Sequence, residues 1–499
     1  YSNGTVAVGY QALYTQNYTG ATDSLNTALG YTAGYALTTA LSDTLVGHGA
    51  GDAITTGSYN DAFGRNALGA CTTGASNSAF GNLALDALTT GGSNVAVGQH
   101  AGGGITTGSQ NACLGTNSGL NITDGAYNTF VGFGSGDALT TGDKNVAVGR
   151  GALGADIYGN KSVAVGYEAL NLAVSGAEVD FLNVAVGYHA GKALTTAISS
   201  VFVGSRSGEA VTTGSYNTII GEQSGLSLTT GQWNTVVGFT AGDALTTVNG
   251  ITCVGFQAGG LITTGTGNTV VGSQALDACT TGTNNTAMGN DAGGALTTGT
   301  NSVFIGTNAG LAQTTGYNNV IVGYNAGDSV TTGHTNVIIG QNAAQAQTTA
   351  IENVLVGNNV AAALTTGQQN IIIGDNAGAG AAVTGNSNVI VGDNAGYTLT
   401  SGASNTFIGN AAGNQVTTAN FITGVGSGCL DALTTGASNV AVGYNAGTAL
   451  TTSANNTIVG YSTGAAITTG GTNTAFGAYA LDACTTGVVN AAFGVNALG

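Results

Sequence analysis

A period of 17 residues runs through this chain, and it limits the possible folds more than any other feature. Taking as phase zero the glycine that closes each NVAVG-like segment, the repeat runs from Gly9, Gly30 and Gly47 to Gly477 and Gly494, 29 copies in all. Of the 28 intervals, 25 are 17 residues, two are 21 (Gly9 to Gly30 and Gly166 to Gly187) and one is 18 (Gly374 to Gly392). A unit this short cannot bury a core by itself. Stacking each coil on the next gives a continuous core and in-register ladders. The consensus places Asn at −4, β-formers from −3 to −1, Ala at +3, an aliphatic at +7, Thr-Thr at +8 and +9, and Gly at +10. Short β-rich runs punctuated by Gly and Asn read as strands joined by tight turns. Helical repeats are disfavoured, because Gly and Thr are poor helix formers and the period is too short for two helices. The predicted fold is all-β: a β-solenoid of 29 stacked coils, forming one continuous repeat domain over residues 1–499 with four-residue insertions near 14–25 and 171–182.

Stacking turns each position into a column whose members lie about 4.8 Å apart. Asn fills −4 in 22 of 29 copies, Asn94, Asn111 and Asn128 among them. A second Asn column occupies +2 at Asn308, Asn325, Asn342, Asn359, Asn376 and Asn394. Asn tolerates left-handed backbone, and stacked amides bond from layer to layer, so both columns are expected to be structural ladders. Lys192 and Glu209 share +5 in adjacent copies and are expected to face one another.

Within a strand, −3 and −1 face one way and −2 the other. Position −1 is apolar in every copy, as at Val97 and Ile305, and is expected to face the core. That leaves a second apolar stripe at −2, including Phe130, Phe202, Ile219, Phe304, Ile321 and Phe407. An exposed stripe of this length exceeds what monomers usually tolerate. It is expected to pack against other chains, in a homotrimer for preference. The alternative is a broad coil that buries both faces.

Charge narrows the function. Only 6% of residues are charged, the net charge is −17, and all six basic residues precede position 207. Phosphate neutralisation needs a basic patch, so nucleic acid is excluded and anionic membrane surfaces are disfavoured. No apolar run approaches the roughly 20 residues of a membrane span. His48, His100, His189 and His334 fall at phases that bring no two together in one column, and no enzymatic activity is expected. No cofactor is expected either. Structural calcium is the one metal left open, by Asp recurring at +5 (Asp52, Asp86 and Asp137, for example). No two of the six cysteines occupy adjacent coils, so none is expected to pair within the chain.

The NVAVG runs at Asn94–Gly98 and Asn439–Gly443, each followed by Ala at +3, resemble the head repeats of the YadA-like trimeric autotransporter adhesins and the NTAVGY-type repeats of phage tail-fibre-like proteins. The period here is longer than in the adhesin heads. The resemblance implies a β-roll, association of three chains, and an extracellular, cell-surface or virion fibre. The expected function is therefore structural: a self-associating surface filament, adhesin-like in character. The alternatives are a tail fibre that binds a receptor or glycan, with its site in the irregular coils, and an ice-binding solenoid using the Thr columns. Both chain ends fall inside a repeat, from which end-to-end stacking or a longer fibre protein is expected.

Overall fold

The computed structural model describes residues 2–18, 22–174 and 176–499, so part of each insertion (19–21 and 175) and Tyr1 lie outside the described residues. The chain divides into two compact units, Tyr1–Ile251 and Thr252–Gly499. Each is a β-solenoid, and the described residues form strands and turns without a helix. The first unit stacks fourteen three-residue strands from Val6–Val8 to Thr235–Val237; the second stacks fifteen from Thr252–Val254 to Ala491–Phe493. Every one occupies −3 to −1 of its repeat, as the sequence pattern predicts. Pairing within each unit is parallel and in register, so that Phe130 lies beside Ala147 and Phe304 beside Ile321.

The phase-zero glycine turns the chain out of each strand. Its φ lies between 122° and 149° in all copies, a region that a side chain forbids. A Cβ at Gly340 would sit 2.1 Å from the carbonyl oxygen of Gly357, one coil on. Non-glycine residues also adopt left-handed backbone at +2, +4 and +12, as at Asn308, Leu68 and Ser93 (φ of 58°, 53° and 61°). These three bends wrap the rest of the coil round and bring +3 and +7 inward, where Ala101 and Leu88 are buried.

Size complementarity within the coil fills the core. Where −2 is Phe, +4 is Gly: a Cβ at Gly208 would lie 2.4 Å from the ring of Phe202, and one at Gly310 2.5 Å from that of Phe304. Where −2 is Ala, +4 is often a buried Leu, as in the pairs Ala79–Leu85 and Ala147–Leu153. Large and small alternate to hold interior density constant. Both insertions carry an extra short parallel bridge, Ser2–Asn3 with Thr22–Asp23 and Gly159–Asn160 with Val179–Asp180.

Candidate functional site

The strand faces are the reverse of the sequence expectation. Phe130, Phe202, Ile219, Phe304, Ile321 and Phe407 at −2 have no solvent exposure within a single chain. They are core residues and form no interchain seam. Position −1 faces out instead: Val97 is 41% exposed, Met288 44% and Ile305 38%. The reason is the turn chemistry that follows. Left-handed residues at +2 and +4 fold the chain back over the −2 side, so the broad coil closes around that stripe and leaves −3 and −1 on the outside. Aromatic members of the outward column stack from coil to coil, with Phe63 and Phe80 ring centroids 4.8 Å apart and Phe476 and Phe493 5.6 Å apart.

The −4 column is a buried amide ladder. Asn94 Nδ2 donates to the carbonyl of Gly108 (3.0 Å) and to Oδ1 of Asn77 (3.1 Å), and Asn94 Oδ1 accepts the backbone N–H of Asn111 (3.0 Å). Asn111 and Asn128 repeat the set, each donating to a carbonyl 14 residues on (Gly125 and Gly142, both 2.8 Å). The side chain thus satisfies a turn carbonyl in its own coil and an N–H in the next, both of which would otherwise be buried unpaired. The +2 column is half-buried, and its amides join at Asn308–Asn325 (2.9 Å), Asn342–Asn359 (3.3 Å) and Asn359–Asn376 (3.4 Å). Asn394 continues the same column at φ 53°. A third ladder, not anticipated from sequence, uses Thr at +8. Thr89 Oγ1 donates to the carbonyl of Thr106 (3.0 Å) and Thr297 Oγ1 to that of Thr314 (3.1 Å). Its hydroxyls are thus spent on holding coils together, and the exposed threonines at +9, such as Thr90, form a single rank.

Beside the second insertion the columns become charged. Lys192 Nζ lies 2.7 Å from Glu168 Oε2, and the same carboxylate meets Arg150 Nη1 (3.3 Å) and His189 Nε2 (3.3 Å). His189 Nδ1 reaches Glu209 Oε1 (3.0 Å), which Arg206 Nε closes through Oε2 (2.6 Å). Lys192 therefore pairs with the preceding coil's Glu168 and not with Glu209, because Arg206 and His189 already occupy Glu209. The Lys192 hydrogen bond holds the Glu168 carboxyl below its ordinary pKa, and Glu168 in turn raises that of Lys192. The Arg150 guanidinium rests 5.9 Å from the Phe133 ring centre and 5.3 Å from that of Tyr167. A cleft of about 220 Å³ opens there between Phe133, Asp137, Arg150, Glu168 and Asn171. A second, of about 410 Å³, lies beneath the insertion against Val179, Asp180, Phe181, Thr196 and Ile198.

The other histidines stand apart from this cluster, His48 stacked on Tyr31 (5.2 Å) and His334 on Tyr317 (4.5 Å). Burial raises the carboxyls of seven +5 aspartates, from Asp52 to Asp431. Among the described residues no group of three or more His, Cys, Asp or Glu side chains is placed to hold a metal ion. All six cysteines are free, and burial pushes the Cys71 thiol up to about 11 and the Cys113 thiol up to about 12. Among the described residues no helix is long and apolar enough to cross a membrane. No protein-family model matches the sequence, and no curated protein is significantly similar to it.

Proposed function

We propose that the chain is a structural, non-catalytic fibre protein that self-associates in an extracellular, cell-surface or virion filament. One observation carries this reading: in each unit, coil is bonded to coil by three parallel ladders, the sheet itself, the −4 amides and the +8 hydroxyls. Such an element resists bending and adds length at constant cross-section, which suits a filament more than a catalyst that must move. The NVAVG resemblance to adhesin heads and tail fibres agrees with a surface location. So does the absence of Lys and Arg after Arg206, which leaves nothing there for a Lys/Arg-directed protease to cut. Electron microscopy of the purified protein tests the filament, with uniform unbranched fibres expected and compact particles overturning it. Immunogold labelling of intact source cells or virions tests the location.

A second reading, recognition of a receptor or glycan, is favoured by the two clefts beside residues 171–182. There an exposed aromatic, a guanidinium and a carboxylate (Phe133, Arg150 and Glu168) face one space, the groups that stack on and hydrogen-bond to a sugar ring. Glycan-array binding that disappears in Phe133→Ala and Arg150→Ala would establish it.

A further inference from the structure

We infer that the outward ribbon formed by positions −3 and −1 is the seam along which a second copy of this chain packs. This rests on the fibre reading and names the surface that serves it. A solvent-facing sheet surface is ordinarily polar. Here −1 is Val, Ile, Leu, Phe or Met in all 29 copies, and −3 is mostly Val or Thr, with Asp61 as the single charge in either column. Position −1 therefore carries a large apolar side chain in every coil, whereas the inward position falls as small as Ala96 and Gly424. Nothing about the interior requires that, since Val97 and Ile305 do not face it.

Area, charge and pitch identify the occupant. In the second unit alone, fifteen strands spaced about 4.8 Å apart make a strip about 70 Å long and about 10 Å wide. That is about 700 Å², close to the roughly 800 Å² per partner of a standard interface. An uncharged strip gives no purchase to a basic or acidic partner. A globular partner would cover a few coils, whereas a ribbon with the same step matches every coil. Two such ribbons face to face make an isologous contact of the ordinary sheet-on-sheet kind.

The test uses the full chain and two sets of lysines. Ile305→Lys, Ile339→Lys and Ile373→Lys charge the ribbon, each site being more than a third exposed. Asn301→Lys, Thr335→Lys and Gln369→Lys charge position +12 in the same region, a position that holds Lys144 and Lys161 in the same left-handed backbone in the first unit. Far-UV circular dichroism checks folding, and light scattering with mass-per-length microscopy counts chains per cross-section. The wild type and the +12 set are expected to show two or more chains, and the ribbon set one. A wild type with one chain per cross-section, or a ribbon set with undiminished mass, overturns the seam. If the lysine ribbon set loses its fold, the milder Ile305→Thr, Ile339→Thr and Ile373→Thr set, built from a residue frequent at −3, replaces it. That set is expected to weaken association at least tenfold, and unchanged association overturns the proposal. Filament length is read separately: loss of filaments in the wild type defeats the fibre reading, whereas persistence of filaments with unchanged mass per length in the ribbon set defeats the seam alone.

Discussion

Two stretches of the molecule fill the same +2 position by opposite means. In the coils closing at Gly166, Gly187 and Gly204 it holds Glu168, His189 and Arg206, tied into a network with Lys192 and Glu209. In the coils from Gly306 to Gly392 it holds asparagine throughout, joined amide to amide at Asn308–Asn325, Asn342–Asn359 and Asn359–Asn376. A carboxamide both donates and accepts, so a column of one residue type complements itself. Charges cannot repeat along a column; they must alternate, and each depends on the sign of its neighbour. The charged stretch is also the one interrupted by an insertion and flanked by clefts. A self-complementary column can be extended indefinitely, whereas an alternating one marks a particular place.

The largest effect tests what the two stretches share. Phe202→Asp and Phe304→Asp each bury an unpaired charge and are expected to cost about 4 kcal/mol or more, alike in both stretches. Val203→Asp and Ile305→Asp, one residue along and facing out, are expected to cost the isolated chain less than about 1 kcal/mol. Denaturation midpoints compare the pairs, and equal losses at the inward and outward sites would break the facing assignment.

Next in size is the one place where a carboxyl replaces an amide in the buried −4 column. Asp43 Oδ1 accepts the N–H of Asn60 (2.7 Å), while its Oδ2 is buried without a partner among the described residues. Burial pushes its pKa up to about 7, against the pull of that hydrogen bond. The folded-state value lies above the unfolded one. Its stabilising contribution is therefore whole below about pH 4 and is lost as pH rises through about 7, up to about 4 kcal/mol in all. Asp43→Asn, able to donate to its own turn as Asn60 does to Gly74 (3.0 Å), should melt at a temperature that changes far less with pH between 4 and 7. Parallel pH profiles for the two proteins would refute this.

Within the amide-ladder stretch, Gln313 occupies the buried +7 position, and neither polar atom of its side chain has a partner among the described residues. Gln313→Leu restores the residue found there at Leu296 and removes two unpaired groups. A gain of about 1–3 kcal/mol is expected, read as a higher denaturation midpoint. The smallest effect separates the two +2 columns directly. Glu168→Gln is expected to cost about 0–1 kcal/mol at low salt and nothing measurable at 1 M salt, because these ion pairs are partly exposed. Asn342→Ser should show no such salt dependence, and a matching salt response would erase the distinction.

Much of this was legible from sequence, and what was not had a definite cause. The period, the strand positions and the Asn columns follow from residue type at fixed spacing, because in-register stacking gives each position one environment. Which strand face points inward did not follow, since −1 and −2 are both apolar and alternation alone cannot rank them. The deciding signal lay in volume. Position −2 varies from Ala96 to Phe130 while +4 varies against it, Leu85 where −2 is Ala79 and Gly136 where it is Phe130. Only groups sharing one enclosed space need to compensate in this way. Position −1 also ranges from Val97 to Phe80, but it lies outside that enclosed space. The Thr ladder was missed for a different reason: alternation predicts one outward threonine per pair but not that the other reaches the next coil's carbonyl. The pairing at Lys192 was misread because column position sets which coils meet, not which of several carboxylates a flexible side chain selects.

The constant step of the ladders bears on how such a chain reaches its folded form. Every sheet pairing in the regular coils joins residues 17 apart, whether at Phe130 and Ala147 or at Phe304 and Ile321. The entropy of closing a loop grows with the logarithm of the separation being closed, and that separation does not grow with the chain. Each coil added within a unit therefore meets the same closure entropy as the one before it. During synthesis, a nascent segment finds its template in the coil just completed, as soon as about 17 residues have emerged. Lengthening the protein then adds folding steps without raising the closure entropy of any single one.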